Sequence, residues 1–179
     1  MTDRRTAQEA LRRLVVDVPD WPTPGVTFKD ITPALADHTA LTAIVTALSG
    51  PGREAGTVDK VVGMEARGFI LAAPVALALG AGFVPVRKAG KLPRETHAVS
   101  YVLEYGEATL ELHRDAIAPG ERVLLVDDVL ATGGTVAATR ELVEACGGVC
   151  VGVSVLLELS FLDPRRATDD LPVSALLTI

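Results

Sequence analysis

The sequence predicts an α/β fold in which helices flank a mostly parallel central sheet. Short segments rich in Val and Leu alternate along the chain with longer helix-like segments, an order typical of strands joined by crossover helices. Of 179 residues, 49% are hydrophobic and only 4% are aromatic, as expected for buried strands packed against helices of small residues. This length suits one domain with a substantial core, so we expect a single domain over residues 1–179.

The predicted elements follow one another in a simple order. A helix over about residues 4–16 precedes an irregular, proline-rich segment at residues 20–35, and a second helix is expected over about residues 39–53. Beyond these lie strands at residues 59–64, 82–87, 121–129 and 149–159, helices at 68–80 and 135–148, and an antiparallel hairpin at 98–117.

Composition and charge argue against several classes of function. The net charge of −6 disfavours a general nucleic-acid binder, which carries a basic excess. Cys146 and Cys150 do not form a C-x-x-C motif, and we expect two buried free thiols in a cytosolic protein. Residues 1–18 lack the apolar region of a secretory signal, and prolines interrupt the uncharged residues 68–86, so membrane insertion is not expected.

Three loops of unusual chemistry follow predicted strands. They come after the strands that end at Met64, Arg87 and Val126. Ligands of parallel sheets bind at the carboxyl ends of the strands, where loops lead into helices. The three loops therefore predict one site.

The third loop combines the features of an anion site. Gly133 and Gly134 allow close backbone approach, Thr132 and Thr135 supply hydroxyl groups, and the amides that open the next helix form a nest for a phosphate monoester. Thr135 is also a candidate helix cap. The motif is neither a P-loop nor G-x-G-x-x-G, which disfavours an ATPase or a dinucleotide enzyme. A strand-to-helix turn with an incidental Gly-Gly pair is the alternative.

Two adjacent carboxylates, Asp127 and Asp128, precede this phosphate nest. They would repel a phosphate, but carboxylates accept hydrogen bonds from hydroxyl groups and hold Mg²⁺ directly or through water. Ribose 5-phosphate fits both the nest and the acid pair, because its phosphate can bind to the nest while its 2′ and 3′ hydroxyls donate hydrogen bonds to the two carboxylates. The sequence therefore predicts a phosphorylated ribose as the ligand.

The first loop places Glu65 and Arg67 beside Gly68 at the end of a strand. A charged pair in an apolar neighbourhood suggests that Arg67 and nearby amides grip a diphosphate, and a structural salt bridge is the alternative.

The second loop carries a run of cations in an otherwise acidic chain. It is either a solvated mobile loop or a lid that closes over pyrophosphate, and one loop can be both. The run consists of Arg87, Lys88, Lys91, Arg94 and His97.

Two further residues are candidates for contacts with a base. Glu104 shares a strand face with Val102, so its carboxyl group is a candidate general acid or base, with an ordinary exposed strand residue as the alternative. Phe28 lies in the irregular N-terminal segment and is a candidate stacking surface, although a lone Phe is more often part of a core.

Four stretches in this order resemble a known family. "WPTPGVTFKDITPAL", "GMEARGFILAAPVA", "RKAGKLPRETHAVSYVLEYG" and "VLLVDDVLATGGT" are similar to the motifs of the type I phosphoribosyltransferases, and the last resembles their phosphoribosyl pyrophosphate (PRPP) binding motif. The likeness covers nearly the whole chain and is strongest to the members that act on adenine. It implies the type I fold, with an N-terminal helix and base-binding hood over about residues 1–36, a PRPP-binding core over about 37–179, and a flexible catalytic loop.

The resemblance implies purine salvage, in which adenine and PRPP give AMP and pyrophosphate. It implies Mg²⁺ bound mainly through PRPP and pyrophosphate, without a dedicated protein site, and a cytoplasmic homodimer that binds no nucleic acid and no membrane. Catalytic roles fall to Glu104, Asp127, Asp128 and Arg67. The resemblance assigns PRPP and AMP to Asp127, Asp128, Ala131, Thr132, Gly133, Gly134 and Thr135, pyrophosphate to Glu65, Ala66, Arg67, Gly68, Arg87, Lys88 and Lys91, and adenine to Thr27, Phe28, Lys29 and Leu159.

Alternatives within and outside this chemistry remain open at the level of sequence. One is a phosphoribosyltransferase for another base, such as hypoxanthine, guanine or orotate. Another is a regulator of the same fold that senses PRPP or a nucleotide without catalysis, against which Arg87, Lys91 and Glu104 argue. The family often has Val and Arg where this chain has Thr27 and Lys29, and Lys is not equivalent to Arg if a planar group is needed.

Overall fold

The computed structural model describes residues 2–103, 106–168 and 171–179. The chain divides into two compact units, Met1–Ala47 and Leu48–Ile179.

The first unit begins with helix α1, Thr2–Leu14. Its predicted counterpart is shifted by two residues, and its apolar face buries Ala7 and Leu11. The proline-rich segment is less irregular than predicted. Strand β2, Phe28–Asp30, pairs antiparallel with β1, Val16–Val18, and a short helix α2, Thr32–Ala36, follows.

The helix predicted over residues 39–53 is two helices. They are α3, His38–Leu48, and α4, Gly50–Ala55. Pro51 has no N–H to donate to the Ala47 carbonyl, so the hydrogen-bond ladder of α3 is interrupted at this point. A new turn then begins, in which the Arg53 amide donates to the Ser49 carbonyl at 3.1 Å.

The second unit is built on a seven-stranded sheet. Its strand order is β5-β6-β4-β3-β7-β8-β9. Neighbours from β4 to β9 run parallel, whereas β6 is antiparallel to both β4 and β5. The bounds are β3 Lys60–Met64, β4 Gly82–Lys88, β5 Thr96–Leu103, β6 Gly106–His113, β7 Arg122–Leu130, β8 Val149–Glu158 and β9 Val173–Thr178, with crossover helices α5 Arg67–Leu79 and α6 Gly134–Ala145.

The predicted strands, crossover helices and hairpin of this unit are confirmed, with three differences. Strand β7 continues past Val126, after which the third loop was placed, and ends at Leu130, so the acid pair lies within the strand, as in the predicted range 121–129. Two short 3-10 helices, Ser160–Leu162 and Pro164–Ala167, follow β8. Strand β9 was not predicted.

The core of the sheet is aliphatic. Val62, Leu125 and Val155 on three neighbouring strands are fully buried, as parallel strands covered on both faces require. Both cysteines are free thiols, Cys146 buried and Cys150 half-buried. Burial raises the pKa of Cys146 and raises that of Cys150 to about 12. Within the described residues, no helix is both long and apolar enough to cross a membrane.

Candidate functional site

Three adjacent parallel strands bring the predicted loops to one edge of the sheet. Strand β3 lies between β4 and β7. The pairing of Gly63 with Val126 sets the end of β3 beside the acid pair of β7. The loops after β3 and β4 and the loop after β7 therefore meet at the same carboxyl edge, as the sequence predicted.

An ion pair joins the first loop to β7. Arg67, the first residue of α5, bridges to Asp128 through its Nε and the Asp128 Oδ2. Only 6% of Asp128 is exposed, so removing Arg67 would leave a buried carboxylate without its cation. Arg67 keeps a side chain that is 40% exposed.

The second carboxylate of the pair is held differently. Asp127 accepts a hydrogen bond from the Asp128 amide at 2.9 Å. A Cβ on Gly68 would lie only 2.7 Å from Asp127 Oδ1, so a glycine is needed there for α5 to approach β7. Burial, and after it the neighbouring Asp128 carboxylate, raise the pKa of Asp127 well above its usual value.

Glu65 connects the first loop with the second. Its carboxylate accepts hydrogen bonds from Arg87 Nε at 3.3 Å and the Lys88 amide at 3.0 Å, and it pairs with Lys91 Nζ. Burial alone would raise the pKa of Glu65, but these hydrogen bonds and the charges of Lys91 and Arg87 lower it. The two charges of the "GMEARGF" motif thus pair with other elements: Glu65 with Arg87 and Lys91, and Arg67 with Asp128. The peptide between Glu65 and Ala66 is cis.

The rest of the cationic run is fastened to β6. The Ala89 amide donates to the Thr109 carbonyl at 3.0 Å, and the Gly90 amide donates to the Glu111 carboxylate at 3.0 Å. Arg94 pairs with Asp115 just beyond the end of β6. Arg87 and Lys91 thus form ion pairs with Glu65 at the site, whereas Arg94 does not take part in that network.

The predicted phosphate loop connects β7 to α6. Gly133, at the N-cap position, has φ of 83°, a left-handed conformation that glycine adopts without steric cost. The first amides of a helix have no intrahelical acceptor and are available to an anion. Thr135 is not the cap, since α6 begins at Gly134 and has no side-chain cap. Ala131 and Thr132 form the bend before Gly133.

Tyr101 on β5 is a neighbour of this loop that the sequence did not indicate. Its hydroxyl lies 3.1 Å from Thr135 Oγ1, and a Cβ on Gly134 would lie 3.1 Å from its ring. A tyrosine in a hairpin strand carries no sequence signal of such a contact. Only the packing of β5 against α6 brings them together.

The backbone after β8 also reaches the loop. A Cβ on Gly133 would lie 2.5 Å from the Pro164 carbonyl oxygen and 2.8 Å from the Ala167 Cβ. Leu159, at the end of β8, is half-buried and donates its amide to the Leu130 carbonyl at 2.9 Å.

The remaining residues predicted to contact the base lie either in the first unit or outside the residues that the structure describes. Phe28 is half-buried, with its ring 4.5 Å from that of Trp21 in an edge arrangement. Lys29 pairs with Asp17 at 2.7 Å across the β1–β2 ribbon, and Thr27 is exposed. Glu104 lies outside the described residues.

The side chains at the sheet edge do not form a protein-only magnesium site. No group of three or more His, Cys, Asp or Glu side chains suited to a metal occurs in the part of the chain that the structure describes. Mg²⁺ takes six oxygen ligands and is usually held by one or two carboxylates together with phosphates and water. The acid pair therefore fits only an ion whose ligands come mainly from a phosphorylated substrate and water.

Comparison with known proteins identifies the family. A model described as phosphoribosyl transferase domain matches residues 32–174. An adenine phosphoribosyltransferase from a Nocardioides species is 66% identical over 169 residues, covering 93% of this chain and 91% of that protein. The chain belongs to the adenine phosphoribosyltransferase family. Two solved adenine phosphoribosyltransferases share its type I phosphoribosyltransferase fold.

The first of these structures is from Rhodothermus marinus. It is 51% identical, with a TM-score of 0.92, and the match covers 98% of this chain and 99% of that one. The second, from Saccharomyces cerevisiae, is 38% identical with a TM-score of 0.92 and coverage of 97% and 99%. The yeast adenine phosphoribosyltransferase was solved with adenine and the bisphosphate D-2,5-dideoxy-2,5-imino-altritol 1,6-bisphosphate.

Proposed function

We propose that the edge formed by β3, β4 and β7 is the active site of a purine salvage transferase that converts adenine and PRPP to AMP and pyrophosphate. One observation carries the proposal. Ion pairs tie the three loops together, Arg67 with Asp128 and Glu65 with Arg87 and Lys91. Acids for a sugar, cations for a diphosphate and a phosphate nest thus share one edge.

The ribose 5-phosphate part of PRPP binds to β7 and its loop. The phosphate takes the backbone amides and hydroxyl groups of residues 131–135, as at other helix N-termini. Asp127 and Asp128 accept hydrogen bonds from the 2′ and 3′ hydroxyls. As the bond from the anomeric carbon to pyrophosphate breaks, positive charge develops on the ribose, and these two carboxylates favour it. The sequence assigns this phosphate-binding segment as Ala131, Thr132, Gly133, Gly134 and Thr135.

The pyrophosphate leaves toward the first and second loops. Arg67, Arg87, Lys88 and Lys91 neutralise its charge, together with the amides of Ala66 and Gly68. Glu65 keeps Arg87 and Lys91 in place, since its side chain is only 8% exposed and bridges both. When bound, Mg²⁺ further neutralises the diphosphate oxygens. Closure of the loop over the site excludes water, which would otherwise attack the sugar.

Adenine takes the place of pyrophosphate at the anomeric carbon. Its ring nitrogen forms the new bond and its N–H proton leaves, assisted by Glu104. Phe28 stacks on the base, the backbone of Thr27 and Lys29 reads its edge, and Leu159 forms part of the pocket wall. The yeast relative, which was solved with adenine together with a bisphosphate, supports adenine as the base.

The active protein is a homodimer in the cytoplasm and uses Mg²⁺. The support for all three statements is the resemblance to the family. Light scattering of the purified protein is expected to give about twice the chain mass of 18.7 kDa, and a mass of one chain would contradict the dimer.

The reaction is tested by mixing the protein with PRPP, Mg²⁺ and one base at a time. Adenine is expected to yield AMP and pyrophosphate in equal amounts, whereas hypoxanthine, guanine and orotate yield little product. Preferred turnover of another base would overturn the adenine assignment. Absence of product with every base, from protein that still binds PRPP, would instead indicate a sensor.

A further inference from the structure

The segment that follows β8 forms an outer wall against the phosphate loop. The 3-10 helix Pro164–Ala167 lies so close to Gly133 that any side chain there would meet the Pro164 carbonyl and Ala167. Because Gly133 is itself buried, the loop cannot move outward unless this helix moves first. The helix therefore packs directly on the loop that carries the predicted phosphate nest.

One ion pair fixes that helix to the sheet. Arg165 donates from Nε to Glu158 Oε1 at 2.6 Å and from Nη2 to Oε2 at 2.8 Å. This two-point geometry is the most directional that an arginine and a carboxylate can form. Glu158 is 4% exposed and sits at the end of β8, opposite Leu130 of β7. The Thr168 hydroxyl also donates to the Arg165 carbonyl at 2.9 Å, closing the turn.

Each member of this pair favours the charged form of the other. The hydrogen bonds and charge of Arg165 lower the pKa of Glu158, and those of Glu158 raise the pKa of Arg165. Neither group belongs to the acid pair or to the pyrophosphate cations. The pair can therefore affect the proposed chemistry only through the helix Pro164–Ala167, which it holds against the phosphate loop.

We propose that Glu158 and Arg165 are positioning residues for PRPP and AMP, which hold the helix Pro164–Ala167 against Gly133 and so preset the phosphate nest. This inference rests on the proposed role of residues 131–135 in binding the 5′-phosphate. Adenine binding does not depend on the pair, because Leu159 is held separately by the Leu130 carbonyl.

The test compares Arg165→Gln with Arg166→Gln. Arg166 is the adjacent residue, is exposed and lies outside the Glu158–Arg165 ion pair, so it is a matched control. Arg165→Gln is expected to raise the KM for PRPP about tenfold, since small displacements of a binding group carry large penalties. The KM for adenine and kcat should stay within about threefold of the unmodified protein, because the reacting groups are untouched. Glu158→Gln should reproduce the effect, and Arg165→Lys should recover part of it.

A second readout does not depend on turnover. Hydrogen exchange of the amides of residues 131–135 in the ligand-free protein is expected to be faster in Arg165→Gln than in Arg166→Gln, at a temperature where both remain folded. Equal exchange and equal KM for PRPP in the two variants would overturn the inference. If the unmodified protein forms no AMP, the proposed function fails, and the exchange comparison still decides whether the ion pair positions the loop.

Discussion

At the residue scale, the two adjacent aspartates of β7 are held in opposite ways. Asp128 is neutralised by Arg67, whereas Asp127 has its pKa raised by burial and then by its neighbour. Burial and the adjacent Asp128 carboxylate therefore both oppose ionisation of Asp127. This is the behaviour expected of a group that serves a ligand rather than the fold.

Asp127→Asn is expected to stabilise the ligand-free protein while lowering turnover by at least about 100-fold. A carboxyl group whose pKa is raised by folding stabilises the fold while protonated, and that contribution is lost as pH rises through the folded pKa. The rise in the thermal midpoint caused by Asp127→Asn should thus be near zero close to pH 4 and should grow toward pH 8. Each kcal/mol gained in the free energy of unfolding corresponds to a rise of about 2–4 °C.

Asp128→Asn is the matched comparison, measured by the same thermal unfolding series. It leaves Arg67 without its carboxylate partner, so the midpoint at pH 8 is expected to fall. Turnover should fall as well. A lower midpoint for Asp127→Asn, or unchanged turnover for either variant, would contradict the account of the acid pair.

Residue types at the site could be predicted from the sequence, but their pairing could not. Acids, glycines and cations at strand ends indicated an anion site because those chemistries are rare beside buried strands. Which acid meets which cation depends on strand order, and the sequence does not specify strand order locally. Glu65 thus bridges to Arg87 and Lys91 from the next strand and not to Arg67, two residues away.

At the element scale, the phosphate loop is held by elements on two sides. The hairpin strand β5 contacts it through Tyr101, and the backbone after β8 contacts it through Pro164. Both contacts are therefore expected to contribute to the geometry of the loop.

Tyr101→Phe tests the hairpin side. It removes the hydroxyl that lies 3.1 Å from Thr135 Oγ1 and leaves the ring contact with Gly134. A neutral hydrogen bond contributes about 0.5–1.5 kcal/mol, so the KM for PRPP is expected to rise about two- to tenfold in steady-state assays. The KM for adenine should be unchanged. A KM for PRPP equal to that of the unmodified protein would show that the hydroxyl pair does not orient Thr135.

Gly133→Ala tests the contact between the phosphate loop and Pro164, and Gly120→Ala is its control. Both glycines have φ of 83°, but a Cβ at Gly120 meets nothing within 4 Å. Each substitution carries the left-handed cost of about 1–2 kcal/mol, and only Gly133→Ala adds a clash with Pro164. We expect a larger loss in free energy of unfolding by urea titration for Gly133→Ala, together with loss of AMP formation. Equal losses of stability would contradict the observed packing.

The elements themselves could be predicted wherever apolar periodicity and glycine or proline signals agreed. The βαβ units of β3–α5–β4 and β7–α6–β8 are confirmed for that reason. The short ribbon strands β1 and β2 were missed because three residues show no period. The third loop was placed directly after Val126, although backbone pairing with β8 carries the strand to Leu130.

At the scale of the whole molecule, an acidic chain concentrates cations at one sheet edge. The net charge is −6, yet Arg67 pairs with Asp128 while Arg87 and Lys91 pair with Glu65 on the adjoining loop. A local positive field of this kind would favour a polyphosphate at this edge of an otherwise acidic chain. The strand order that places β3 between β4 and β7 is what converts scattered sequence motifs into a single site.

Ligand binding at this edge is expected to stabilise the whole second unit. AMP at 100 times its Kd should add about 2.7 kcal/mol to the free energy of unfolding, seen as a raised midpoint in thermal scans. Adenosine at the same concentration lacks the phosphate and should add far less. Equal stabilisation by the two compounds would contradict anchoring through the phosphate nest.

The most direct test of the central claim is a crystal structure of the protein with AMP bound. We predict the phosphate on the amides of residues 131–135, with the ribose hydroxyls on Asp127 and Asp128. AMP bound at another surface, with that edge of the sheet left without nucleotide, would contradict the account.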